Sequence, residues 1–262
     1  MEAVNAVAVK ETNAVALSDE MAAWGASKEV SANDLIIPQI LTMQSTSELV
    51  QNDKATMGEF RDSLTGKLIG KAGSSPFEII PFHCQEVWVI NAQQEDGNYA
   101  YHTTEPIVKS PMKAGFNDNL PWEDKMLIEG KLTPIKRVRR YNFFVLLKSE
   151  LESGEAVMPY FIGFKSTSVK EGKKLFNMMY VRNTAAGLTP ASYTFKIDGR
   201  REKNEKGTFV VPTVEQAAKT SAEHLQKAFY WFKKINGSAN VKLDEGEEAA
   251  PSAADSSSTG DF

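Results

Sequence analysis

Hydrophobic positions in this chain fall mostly into short extended runs separated by turn residues, with a helical stripe only towards the end. From Asn33, the segment NDLIIPQILTMQSTSELV opens on an apolar run, and Pro38 forbids a helix there, so the start is extended. GEFRDSLTGKLIGKAGSSP is rich in turn residues, and its Leu-Thr-Gly-Lys piece suits a hairpin. PFEIIPFHCQEVWVINAQQ has strong strand propensity through Ile79, Ile80, Phe82, Val87, Trp88, Val89 and Ile90. Gly97 to Pro134 reads as a long loop, punctuated by Pro106, Pro111, Gly115, Pro121 and Gly130.

The second half reads as a meander. KRVRRYNFFVLLK predicts a buried strand and AVMPYFIGFKS the next one. In SVKEGKKLFNMMYVRN the spacing of Leu175 and Met179 predicts a short helix against the sheet. Tyr193, Phe195 and Ile197 alternate into a charged turn at Asp198 to Gly207, and Phe209 to Val211 return, which makes a hairpin. A last helix starts at Ser221, with Leu225, Ala228, Phe229 and Phe232 on one face and Asn236-Gly237 as its stop. Many short strands with little room for crossover helices predict a mainly β protein, with minor α. The economical choice is an OB-like antiparallel barrel with loop insertions and a C-terminal helix. Periodicity does not separate that barrel from another small one. Three regions follow: a disordered arm over 1–32, a single OB-like domain over 33–239, and a disordered acidic tail over 240–262.

Composition narrows the class. With 42% hydrophobic and 24% charged residues the chain is ordinary for a soluble globular protein, and no apolar run is long enough for a membrane helix. The N-terminal residues lack the basic region and continuous apolar core of a signal peptide. One cysteine, Cys84, allows no intrachain disulfide, which suits a cytoplasmic location.

The net charge of −4 conceals a partition. Residues 1–130 carry 9 basic and 19 acidic side chains, whereas 131–206 carry 16 basic and 7 acidic. The tail carries one lysine against six acids. A concentrated basic block is the footprint of a polyanion-binding region. Aromatic rings interleave it. Lys136, Arg137, Arg139, Arg140 and Tyr141 lead into one strand, and Lys165 ends another. Lys170, Lys173, Lys174, Phe176, Tyr180 and Arg182 follow, then Tyr193 and Lys196 on the next strand, with Arg200, Arg201, Lys203 and Lys206 at its turn. Single-stranded nucleic acid needs cations for its phosphates and exposed rings for its bases. Tyr141, Tyr180 and Tyr193 are the stacking candidates, whereas Phe143, Phe144, Phe161, Phe164 and Phe195 read as core. The turn GRREKNEKG is either a flexible finger or a solvated turn.

Catalytic chemistry is weakly signalled. His83 and Cys84 are neighbours on a strand and point to opposite faces, a poor nucleophile and base couple. The three histidines show no zinc spacing, no phosphate-binding glycine loop occurs, and the acids cluster in loops. No catalytic residue, metal or cofactor is expected.

A basic body followed by an acidic tail that closes on Asp261-Phe262, with Asp255 and a Glu-rich run behind it, resembles the layout of bacteriophage-type single-stranded DNA-binding proteins. The block FKSTSVKEGKKLFNMMYVRN also resembles an uncharacterised phage protein family often placed beside replication genes. The resemblance implies sequence-independent single-stranded DNA binding in phage replication or recombination, inside the host cytoplasm. It also implies recruitment of replication proteins (polymerase, helicase or primase) through Asp261 and Phe262. That the acidic tail competes with DNA for the basic block follows from charge. Two alternatives stand beside this reading: a protein–protein adaptor or host-takeover factor, and an annealing mediator that forms rings. Homo-oligomerisation stays open.

Overall fold

The structure is a computed structural model and describes residues 36–154, 157–205, 207–236 and 242–244. The expected arm over 1–32 and most of the expected tail lie outside the described residues. The first elements are short: β1 (Ile36–Pro38), β2 (Ile40–Thr42), a single turn α1 (Glu48–Gln51), and the hairpin β3 (Glu59–Asp62) and β4 (Leu68–Lys71). The Asp62 carboxylate accepts the N–H groups of Leu64 and Thr65 at 2.8 and 3.2 Å, and Gly66 supplies the positive φ that this turn requires.

The body is organised by two seventeen-residue strands. β5 (Phe77–Gln93) is followed by β6 (Tyr99–Pro106) and β7 (Glu123–Ile128), and then by β8 (Lys131–Leu147). β5 and β8 pair antiparallel from Ile79 opposite Leu147 to Ala92 opposite Ile135, with a bulge at Phe82. β6 joins β5 and β7 joins β8 at one end of this ribbon. The expected loop over Gly97 to Pro134 is therefore corrected: it contains two edge strands. Their mixed sequences, YAYHTTEP and EDKMLI, lack the apolar run that marked β5, because an edge strand is only partly buried.

At the other end α2 (Lys148–Ser153) leads to β9 (Tyr160–Lys165), which pairs with β8. Then come α3 (Val169–Phe176), a π-helical turn over Asn177–Arg182, and the hairpin β10 (Tyr193–Asn204) and β11 (Gly207–Lys219). β10 pairs with Phe77 to Ile79 of β5. The C-terminal helix α4 (Ala222–Asn236) precedes β12 (Lys242–Asp244). β12 pairs parallel with β1, so residues 242–244 of the expected tail form a strand.

Alternation sorts the side chains of this ribbon into two cores. The inner one gathers Phe60, Phe77, Phe143, Phe164 and Phe195 with Leu175 and Met179 of the α3 segment. The outer one places Ile80, Phe82, Phe144, Leu146 and Phe161 under Ala228 and Ile235 of α4. The five phenylalanines read as core are all fully buried. The curved sheets wrap the inner core without closing a continuous ladder. One seam is the single parallel bridge of Gln39 to Phe161. The other is the Gln44 side chain, which donates to the Val210 carbonyl at 2.8 Å and accepts its N–H at 2.9 Å. The fold is mainly β, antiparallel and barrel-like, and the expected C-terminal helix is present.

Candidate nucleic-acid interface

Three of the four cations at 136–140 of β8 pair with acids within the fold. Arg137 is buried, with its guanidinium 2.8 Å from Asp124 of β7. Lys136 lies 3.3 Å from Glu123 and over the rings of Tyr99 and Trp122. Arg139 pairs with Asp118 and stands over the Trp88 ring at 5.3 Å. Arg140 is 2% exposed and lies flat on β9, where a Cβ on Gly163 would sit 3.1 Å from its Cδ. Tyr141 is 5% exposed within the inner core, where burial pushes its hydroxyl up to about 12. It has no ring face to offer a base. The expected use of Arg137, Arg140 and Tyr141 as a binding strand is corrected on burial. The acids of residues 118–124 fold onto this block, a pairing that sequence distance conceals.

The α3 segment keeps its charge outside. Lys170, Lys173 and Arg182 are exposed, and none has a carboxylate within ion-pair distance among the described residues. Lys174 has a structural task. With Glu171 it clamps the open edge of β11: Glu171 accepts the Val214 N–H at 3.1 Å, and Lys174 donates to the Val214 carbonyl. Between these cations the rings of Phe176 and Tyr180 meet at a tilt of 34° with centroids 5.0 Å apart, each half-buried. The Tyr180 hydroxyl accepts the Cys84 N–H at 3.0 Å, and burial pushes it up to about 12. Tyr180 thereby fastens the π turn to β5, so only part of its ring is available.

The remaining candidates scatter around this segment. Lys165 is half-exposed at the end of β9, where its N–H donates to Ser168. Tyr193 is half-buried against the inner core. Lys196 stands across from Glu78 and Glu215 on the neighbouring strands. On the β10–β11 hairpin Arg200 bonds Glu202 at 3.0 Å, whereas Arg201 and Lys203 are exposed. Residue 206, Asp261 and Phe262 lie outside the described residues.

Sequence reasoning missed two groups. Lys109 reaches from the segment after β6 to pair with Glu86 and stands 5.2 Å over the Phe176 ring. Only the structure brings it there, since 67 residues separate it from Phe176. On α4 Phe229 was placed on the buried face, yet it is 56% exposed beside Tyr230 at 51%. Lys233 stands over Phe229 at 4.4 Å and Lys234 over Tyr230 at 5.0 Å. The run AFYWFKK contains more rings than one helix face can bury, which is the signal that was available.

Burial pushes the Cys84 thiol well up and the His83 imidazole down, so both stay uncharged near neutral pH. Among the described residues no three His, Cys, Asp or Glu side chains form a metal cluster, and no helix is long and apolar enough to cross a membrane.

Residues 7–240 match a family model described as Pam3 phage gp34-like protein, and the chain belongs to that family. No curated protein and no solved structure matches it.

Proposed function

We propose that this phage-family protein binds single-stranded DNA without sequence preference during phage replication or recombination, and that the α3 segment is its contact surface. The observation that carries the reading is the exposed set Lys170, Lys173 and Arg182, without acidic partners among the described residues, on the element that holds the Phe176–Tyr180 ring pair. Cations free of internal partners release counterions when they meet phosphates, and that release drives binding. Arg201 and Lys203 on the hairpin add to the positive surface. The cations of β8 support the fold.

Fluorescence anisotropy of a labelled oligo-dT strand, titrated at several salt concentrations, tests this. Affinity falls steeply with salt for the wild type. The slope of log K against log salt becomes shallower by about 2 in the triple variant K170Q/K173Q/R182Q, at roughly 0.7 per phosphate contact on a single strand. No retention of single strands at low salt would end the reading. An adaptor that meets an acidic protein instead keeps its partner in a pulldown after nuclease treatment.

A further inference from the structure

We infer that the outer face of α4 is a second contact for the same strand, a stacking platform for unpaired bases built from Phe229 and Tyr230. This rests on the proposed DNA binding and adds a site apart from the α3 segment.

The helix meets the outer core through Ala228 and Ile235, with Leu225, Trp231 and Phe232 half-buried beside them. That contact turns two successive rings, Phe229 and Tyr230, into solvent at 56% and 51% exposure. A single exposed ring is ordinary on a protein surface. Here two adjacent rings each carry a lysine ammonium over the face, Lys233 at 4.4 Å and Lys234 at 5.0 Å. Lys227 adds a third cation, and Glu223 in the first turn is the one acid of the helix.

Charge decides the kind of occupant. An apolar protein surface docking on these rings would bury the Lys233 ammonium, which has no carboxylate within ion-pair distance among the described residues, and supply no anion to it, which is costly. A nucleic-acid strand supplies both halves: phosphates draw the lysines aside, and bases take the ring faces they leave. The two surfaces also converge on β5. From Ile80 to Glu86 that edge has no strand partner among the described residues, since β10 stops pairing at Ile79 and β6 begins at Val87. The π turn reaches this gap through Tyr180 at Cys84, and α4 reaches it through Phe232, whose ring lies 5.8 Å from that of His83. A strand leaving the α3 segment therefore finds α4 on the other side of two consecutive residues.

The test compares wild type with the double variant F229A/Y230A for binding of oligo-dT and of a duplex of the same length. Both rings are exposed, so the variant folds, which circular dichroism and Tm verify. Single-strand affinity falls at least tenfold, duplex affinity holds within twofold, and the salt slope is unchanged, because rings neutralise no phosphate. An oligonucleotide bearing 5-iododeoxyuridine, irradiated with the wild-type protein, forms its adduct at Phe229 or Tyr230 by mass spectrometry. A double variant that binds single strands like wild type, with adducts confined to the α3 segment, overturns the platform and leaves the proposed function standing. A variant that binds normally but changes oligomeric state in light scattering overturns it in favour of a contact between copies. Wild type that binds no strand at all removes both readings.

Discussion

Arg137 lies buried under the edge of β7 with its guanidinium 2.8 Å from Asp124, so its substitution reads out in stability. Breaking a fully buried ion pair costs about 3–5 kcal/mol; Asp124 stays largely in water, so Arg137→Gln costs nearer ~1–2 kcal/mol. Denaturant unfolding measures that loss, while the folded variant keeps its oligo-dT affinity; a weakened affinity with wild-type stability would return Arg137 to the interface. Glu78 makes a prediction about pH. Burial pushes its carboxyl up, but hydrogen bonds from Lys148 at 3.0 Å and the Thr194 hydroxyl at 2.9 Å outweigh it and hold the group below its ordinary value. A carboxyl depressed in the folded state stabilises fully above its unfolded value of about 4.3 and loses that contribution as pH falls through the folded value. Glu78→Gln therefore lowers Tm at neutral pH, and the gap from wild type closes in acid, below about pH 4. A gap that is constant from pH 3 to 7 contradicts the assignment.

The α3 element depends on a glycine. A Cβ on Gly172 would lie 2.8 Å from the Phe164 Cβ and 3.3 Å from the Tyr141 Cβ, so the helix sits closer to the sheet than any side chain there permits. Gly172→Ala pushes α3 outward at about 1–3 kcal/mol, the usual range for overpacking, despite the better helix propensity of alanine. It also strains the Glu171 and Lys174 clamp on β11, which hydrogen exchange at Val214 reports as lost protection. A stabilised Gly172→Ala protein would show that the contact is slack. This element shows what the sequence makes legible. Leu175 and Met179 announced the helix because they bury at helical spacing, and β5, β8, β10 and β11 announced themselves through runs that enter a core. β6 and β7 were missed because an edge strand buries too little to leave a periodic trace, and β12 because three residues are too few for any period. The site was legible in part. Lys170, Lys173 and Arg182 are exposed as a basic segment suggests, but no local pattern reveals that Asp118, Glu123 and Asp124 cancel the β8 cations. Phe229 was misplaced because helical spacing identifies a face without saying where that face ends.

At the scale of the whole molecule, the strand β12 divides what looked like one acidic tail into a structural root and a charged remainder. The root pairs with β1, whose Ile37 is fully buried in the outer core and whose neighbour Gln39 bridges to Phe161 of β9. The remainder, residues 245–262, holds Glu245, Glu247, Glu248, Asp255 and Asp261, tethered to a body that presents Lys170, Lys173 and Arg182 on the α3 segment without acidic partners among the described residues. Two deletions therefore act differently. Removing 240–262 takes away a three-residue strand and its few hydrogen bonds, a loss of about 1–3 kcal/mol at roughly 0.5–1.5 each, or several degrees in Tm. Removing 245–262 leaves that pairing intact and Tm unchanged, but it deletes five acids that compete with phosphates for the same cations. Oligo-dT binding then tightens several-fold at low salt, and the gain shrinks as salt approaches 0.1 M, where screening acts within about 10 Å. Equal affinities at low salt for full-length protein and the 245–262 deletion would show that these acids do not compete. Equal Tm values for the two deletions would show that β12 contributes nothing to the body.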